Sequence, residues 1–164
     1  MKKANYYQAK EEALRVLKEN AIIEPPILSY QLCETYGIKI ELVKFDDNRI
    51  SGMMKFETNT IYVNSEESPK RINFTIAHEL GHHFLHRDLY LNNQDKYEVF
   101  YRKPIDSDEN TCMESEANTF AANLLVPRKV LDKYHEIASV ESLSNLFAVS
   151  EDVIRFRLKF EYGY

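Results

Sequence analysis

The segment His78-Glu79-Leu80-Gly81-His82 limits what this chain can fold into more than any other. Two histidines four positions apart share one face of a helix, where they can grip a single ion. The surrounding residues supply that helix. Ile72, Ile76, Leu80 and Phe84 recur at i+4 spacing and make an apolar face. Ser68-Pro69 reads as the helix start, with serine as N-cap and proline at the first helical position.

The chemistry follows from the residue types. Neutral imidazoles bind zinc. Glu79 lies about a quarter-turn around the helix. It can lean toward a metal-bound water without becoming a ligand, and take that water's proton. This is the H-E-x-x-H logic of zinc peptidases; the bland alternative is a chance match on a surface helix. The extended pattern H-E-x-x-H-x-x-G-x-x-H is absent, because Leu85 and Asp88 stand where glycine and histidine would be required. His86, one further turn along a straight helix, is too far down the axis to share the ion, and His83 points off the His78/His82 face. Both are carried as possible substrate or oxyanion contacts, together with Tyr90, Tyr97 and Tyr101.

A third ligand is sought in Cys112-Met113-Glu114-Ser115-Glu116-Ala117-Asn118-Thr119-Phe120-Ala121, read as part of a second helix from about Thr111 to Leu125 that stops at Pro127. Glu114 and Asn118 share a face, so a carboxylate ligand would be followed one turn later by an amide able to orient a ligand histidine. Glu116, about 200° around from Glu114, is the rival. Ala117 and Ala121 keep the helix slim on one side, while Met113, Phe120 and Leu124 face a core.

The remaining chain is expected to form one α+β unit. Residues 3–19 read as an amphipathic helix with Ala13, Leu14 and Leu17 on one side. Ser29 to Tyr36 reads as a short helix closed by Gly37. Strand patterns follow at Ile38 to Leu42, Ile50 to Phe56 and Thr60 to Asn64, suggesting an antiparallel meander. From Arg87 to Asn110 the chain turns polar and tyrosine-rich, with a possible strand at Glu98 to Arg102. Short helices at Ser142 to Phe147 and Glu151 to Phe160, joined by Ala148-Val149-Ser150, make a helix-turn-helix-like tail. The expected architecture is a small three-stranded, mostly antiparallel sheet packed on the motif helix and the glutamate-bearing helix. Residues 1–127 would be the metallopeptidase part, with 128–164 a helical extension packed on it.

Charge and composition narrow the partners. The net charge of −5 argues against a phosphate backbone as main partner. Arg155, Arg157 and Lys159 in the tail are balanced by Glu151, Asp152 and Glu161, so a packing or docking surface is expected there rather than a DNA reader. Cys33 and Cys112 form no C-x-x-C pair and are expected to be inert thiols. No apolar run approaches a membrane span, and the polar start Met1 to Tyr7 lacks a signal-peptide core, so a cytoplasmic location is expected.

Together the segments Arg71 to His82 and Glu116 to Pro127 resemble the ImmA/IrrE metallopeptidases. The strand Ile61-Tyr62-Val63-Asn64 and the tail around Leu146 to Ser150 and Arg157-Leu158 add to the match. The resemblance implies a gluzincin-like site in which His78, His82 and a glutamate of the later helix hold Zn2+ and Glu79 is the catalytic base. In the related E-x-x-A-D pattern, Glu114 occupies the ligand position and Asn118 replaces the aspartate. It further implies a protein substrate, typically a helix-turn-helix repressor of a prophage, mobile element or stress response. A regulator that sequesters such a repressor without cutting it is the alternative.

Overall fold

A computed structural model describes residues 3–93 and 108–164 of the chain. The possible strand at Glu98 to Arg102, with Tyr97 and Tyr101, lies outside the described residues. Those residues form seven helices and a three-stranded sheet. In chain order they are α1 (Tyr6–Glu19), α2 (Ser29–Thr35), β1 (Lys39–Val43), β2 (Gly52–Lys55), β3 (Thr60–Asn64), α3 (Pro69–Asn92), α4 (Asp108–Leu125), α5 (Arg128–Leu131), α6 (Val140–Phe147) and α7 (Glu151–Tyr162).

The sheet is mixed rather than a meander, with order β1-β3-β2. β3 pairs parallel with β1 and antiparallel with β2. Burial explains the order. Thr60, Ile61, Val63 and Asn64 of β3 are all buried, so this strand takes the centre. β1 keeps Lys39 and Glu41 in solvent and lies at an edge. Leu42, expected inside, is 61% exposed for the same reason. β2 forms the opposite edge, toward α3.

α3 starts as its sequence predicts. Ser68 Oγ accepts from the Arg71 N–H at 3.3 Å, and Pro69 occupies the first turn. Ile76 and Leu80 are buried, with Ile72 and Phe84 packed against the same core. The helix continues to Asn92, into the polar stretch that begins at Arg87. Two tertiary anchors carry it on. Arg87 Nη1 donates to Asn59 Oδ1 at 2.7 Å, and the buried Tyr90 ring stacks on Phe56 with centroids 4.5 Å apart. Asn73 fixes the other end. It accepts from the Ser29 N–H (2.9 Å) and Oγ (2.8 Å), and its Nδ2 donates to Ile27 O and Ala148 O.

The core is one cluster. α1 adds Ala9, Ala13, Val16 and Leu17, although Leu14 stays exposed. The sheet adds Met54, Ile61 and Val63, α4 adds Met113, Phe120 and Leu124, and the tail adds Leu143, Phe147 and Ile154. Cys33 is part of it, and burial pushes its thiol up to about 12, as suits a packing residue rather than a nucleophile.

The tail helices are each capped by serine. Ser139 accepts from the Ser142 N–H and Ser150 from the Val153 N–H, with Ala148 left-handed between them. Arg157, one of the three basic residues considered for DNA contact, is completely buried. Its Nε donates to Val126 O at 3.2 Å, and its Nη1 lies 2.7 Å from Glu161 Oε1. Glu161 in turn meets Arg128 at 3.1 Å. Removing one partner of a buried ion pair strands the other charge and costs about 3–5 kcal/mol. Glu161→Ala is therefore expected to lower unfolding free energy by about 3 kcal/mol in urea titrations. An unchanged midpoint would mean that Arg157 is neutralised by something else.

Candidate metal centre

α3 and α4 cross at Gly81. A β-carbon placed there would lie 3.0 Å from Ala117 Cα, 3.1 Å from Ala117 O and 3.2 Å from the Phe120 ring. Glycine on one helix and alanine on the other let the two backbones touch. This contact brings the histidines of α3 against Glu114 of α4.

The three side chains converge. His78 Nε2 and His82 Nε2 are 3.1 Å apart. Glu114 places Oε2 3.2 Å from the first and Oε1 3.1 Å from the second. Among the described residues, His78, His82 and Glu114 form the group able to hold a metal ion. A tetrahedral ion with bonds of about 2.0–2.1 Å needs donor separations of about 3.3 Å, close to those observed. The donors are also chemically suited, because two imidazole nitrogens and a carboxylate oxygen are ligand types that zinc accepts.

The residues behind the donors set their orientation. Asn118 Oδ1 lies 2.9 Å from His78 Nδ1, where it accepts that N–H and leaves Nε2 bare. This is the place expected for Asn118. Glu116 is elsewhere: its Oε2 lies 2.8 Å from His86 Nε2, and its Oε1 accepts the Asn5 N–H at 2.6 Å. The geometry thus separates the two rival glutamates, putting Glu114 at the donor cluster and Glu116 behind it. His86, considered for a substrate contact, is 2% exposed and sits behind His82, Nδ1 to Nδ1 at 3.0 Å. The side chain bridges sideways to α4 instead of reaching along the axis for the ion, a route that spacing on one helix does not reveal. His83 lies edge-on to Phe84, with Nδ1 3.5 Å from Arg87 Nη1. Tyr90 is in the core.

Electrostatics at the cluster favour a cation. Burial pushes His82 down to about 4, the neutral form a metal requires. Burial also opposes a charge on His78, but Glu114 and Glu79 outweigh it and hold that imidazole above its ordinary value. Burial would raise Glu114, yet hydrogen bonds from His78 and His82 keep it well below the usual carboxylate range.

Glu79 stands beside them, 5% exposed. Burial, with the charge of Glu114, pushes its pKa up to about 7. The Met54 N–H donates to this carboxylate, while Oε2 is buried with no hydrogen-bond partner among the described residues. Gly52 makes room for it: a β-carbon there would meet Thr75 Cγ2 at 2.5 Å and approach Glu79 Cγ at 3.8 Å. Sequence reasoning missed this strand-to-helix contact, as well as the His86–Glu116 pair. The i,i+4 spacing of His82 and His86 was the available signal for the latter.

A helix carrying two histidines and a glutamate, packed on a glutamate-bearing helix and a small mixed sheet, defines a metallopeptidase architecture. The peptidase family profile described as the IrrE N-terminal-like domain matches residues 33–159, and the chain belongs to this ImmA/IrrE metallopeptidase family. A curated relative, metallopeptidase ImmA of Bacillus subtilis (strain 168), is 28% identical over 134 residues, 79% of this chain and 73% of that protein. A solved structure titled Mycobacterium tuberculosis transcriptional regulator shares the fold, with a TM-score of 0.62 at 19% identity. The alignment covers 93% of this chain but only 46% of that one. Among the described residues, no helix is long and apolar enough to cross a membrane.

Two outcomes test this centre. Glu114→Ala is expected to weaken metal binding by at least about 100-fold, read by competition with a chromophoric chelator. Gly81→Ala improves helix propensity by about 1 kcal/mol but overpacks the crossing by about 1–3 kcal/mol. Thermal unfolding should show a less stable protein; a gain would mean that the helices separate without cost.

Proposed function

We propose that the chain is a zinc-dependent endopeptidase that inactivates a helix-turn-helix repressor by cutting it. The observation that carries the reading is Glu79, a buried carboxylate with an unpartnered oxygen beside three convergent donors. Family membership supports it, since the family's typical targets are repressors of prophages, mobile elements or stress responses. A cytoplasmic location belongs to the same reading. So does the division into residues 1–127 and a packed extension, 128–164, which would contribute structure or docking rather than DNA contact.

His78, His82 and Glu114 would hold zinc, which would supply Lewis-acid polarisation of the scissile carbonyl and of a water. Glu79, buried beside them, is placed to take a proton from that water. The same carboxylic acid then returns the proton to the departing amine nitrogen. Asn118 holds His78 in the ligating tautomer throughout.

The sheet edge supports an extended substrate. The Asn64 N–H donates to Ser51 O at 2.8 Å. Alternation along the antiparallel pair then turns the Gly52 and Met54 backbone groups outward, on the side of β2 away from β3. Met54 meets Glu79 on that edge. A peptide pairing there would pass the catalytic carboxylate by strand addition. β3, the central strand, has both edges paired and cannot take this role.

The test incubates the wild type and Glu79→Gln with a helix-turn-helix repressor as candidate substrate. Two fragments are expected by mass spectrometry, at a rate reduced about 10²–10⁴-fold in the variant. Equal cutting removes Glu79 as the base. A partner bound but intact with the wild type indicates sequestration instead.

A further inference from the structure

The metal-centre reading leaves one buried arrangement unused. Behind His82, on the side away from His78, run His86, Glu116 and the backbone of Asn5. The links are His82 Nδ1 to His86 Nδ1 at 3.0 Å, His86 Nε2 to Glu116 Oε2 at 2.8 Å, and the Asn5 N–H to Glu116 Oε1 at 2.6 Å. Resting on that reading, we infer that Glu116 and His86 form a positioning relay that locks His82 in the tautomer whose Nε2 lone pair faces the metal.

The direction of the relay follows from proton counting. An ionised carboxylate only accepts, so His86 Nε2 must carry a hydrogen. A neutral imidazole has one N–H, so His86 Nδ1 is left as the acceptor. The hydrogen between the two Nδ1 atoms therefore belongs to His82. Its Nε2 is then bare, 3.1 Å from both His78 Nε2 and Glu114 Oε1. A doubly protonated His86 would reverse the bond and turn an N–H into the donor cluster. Burial of that ring, 2% exposed, opposes the extra charge.

Both ligand histidines are thus oriented from α4. Asn118 holds His78 directly, and Glu116 holds His82 through one intervening ring. Glu114 and Glu116 diverge by about 200° around α4, so one reaches the donors from the front and the other reaches around from behind. The Asn5 N–H can only donate, and it occupies one oxygen of Glu116, leaving the other to face His86 Nε2.

Glu116→Gln tests this sharply, because the side chain keeps its shape. The Asn5 N–H claims the single amide oxygen, so the amide NH2 faces His86 Nε2 and must donate to it. His86 then carries its hydrogen on Nδ1, and His82 is pushed to the Nε2–H tautomer, which cannot bind metal. Zinc affinity measured by chelator competition is expected to fall about 10–100-fold. Nitrogen-15 spectra of the metal-free protein should show the His82 hydrogen moved from Nδ1 to Nε2. His86→Asn, whose oxygen can still accept from His82 Nδ1, should retain most of the affinity, and His86→Ala should lose it. A cavity of about 400 Å³ bordered by Asn5, Leu85, Leu89 and Cys112 opens onto the pair. Added imidazole should therefore restore zinc binding to His86→Ala.

Wild-type zinc affinity and an unmoved His82 hydrogen in Glu116→Gln would overturn the relay. Loss of affinity in His86→Ala that neither imidazole nor His86→Asn recovers would do the same, marking a packing role. Glu114→Ala keeps the two readings apart. If it binds zinc normally, the metal centre itself is wrong; if it alone fails, the centre stands and the relay falls.

Discussion

Three donor atoms converging on one point dominate this structure. His78 Nε2, His82 Nε2 and Glu114 lie 3.1–3.2 Å apart, a spacing that suits one shared cation. The charge tendencies of the group express the same demand, with one imidazole held up, one pushed down and the carboxylate kept ionised. Such a cluster persists only if the surrounding fold resists its spreading. Much of the packing described above serves that end: the touching backbones of α3 and α4, the cap at Ser68, and Asn73 pinning the start of α3 to α2 and the tail.

The features legible in the sequence were those set by local periodicity. His78, Glu79 and His82 follow from spacing on one helix, and Ser68-Pro69 from capping chemistry. β3 follows from an apolar run between turns, and Asn118 from its one-turn offset to Glu114. Features decided between distant segments were not legible. β3 entered the sheet between its sequence neighbours because its two faces are buried, which a strand-by-strand reading cannot weigh. α3 outran its apolar pattern because Asn59 and Phe56, remote in sequence, hold Arg87 and Tyr90. Glu114 and Glu116 looked alike as candidate ligands until the helix crossing put one before the histidines and the other behind them.

The tail shows how charge can mislead when read along a line. Arg155, Arg157 and Lys159 are adjacent in pattern but not in environment. Arg155 pairs with Glu151 on the surface, whereas Arg157 is enclosed against Val126 O and Glu161. A buried guanidinium whose partners come from other elements links the end of the chain to the segment just after α4. The same logic applies to Asn73, whose amide reaches Ala148 between the tail helices. The C-terminal helices are thereby tied to both ligand-bearing helices without touching the donors.

Gly81 sets a further property of the centre. Because α3 meets Ala117 backbone to backbone, main-chain contact sets the spacing of the two helices that carry the donors. The glycine in the middle of the motif, which spacing alone treats as filler, thus sets how far Glu114 must reach to meet the histidines.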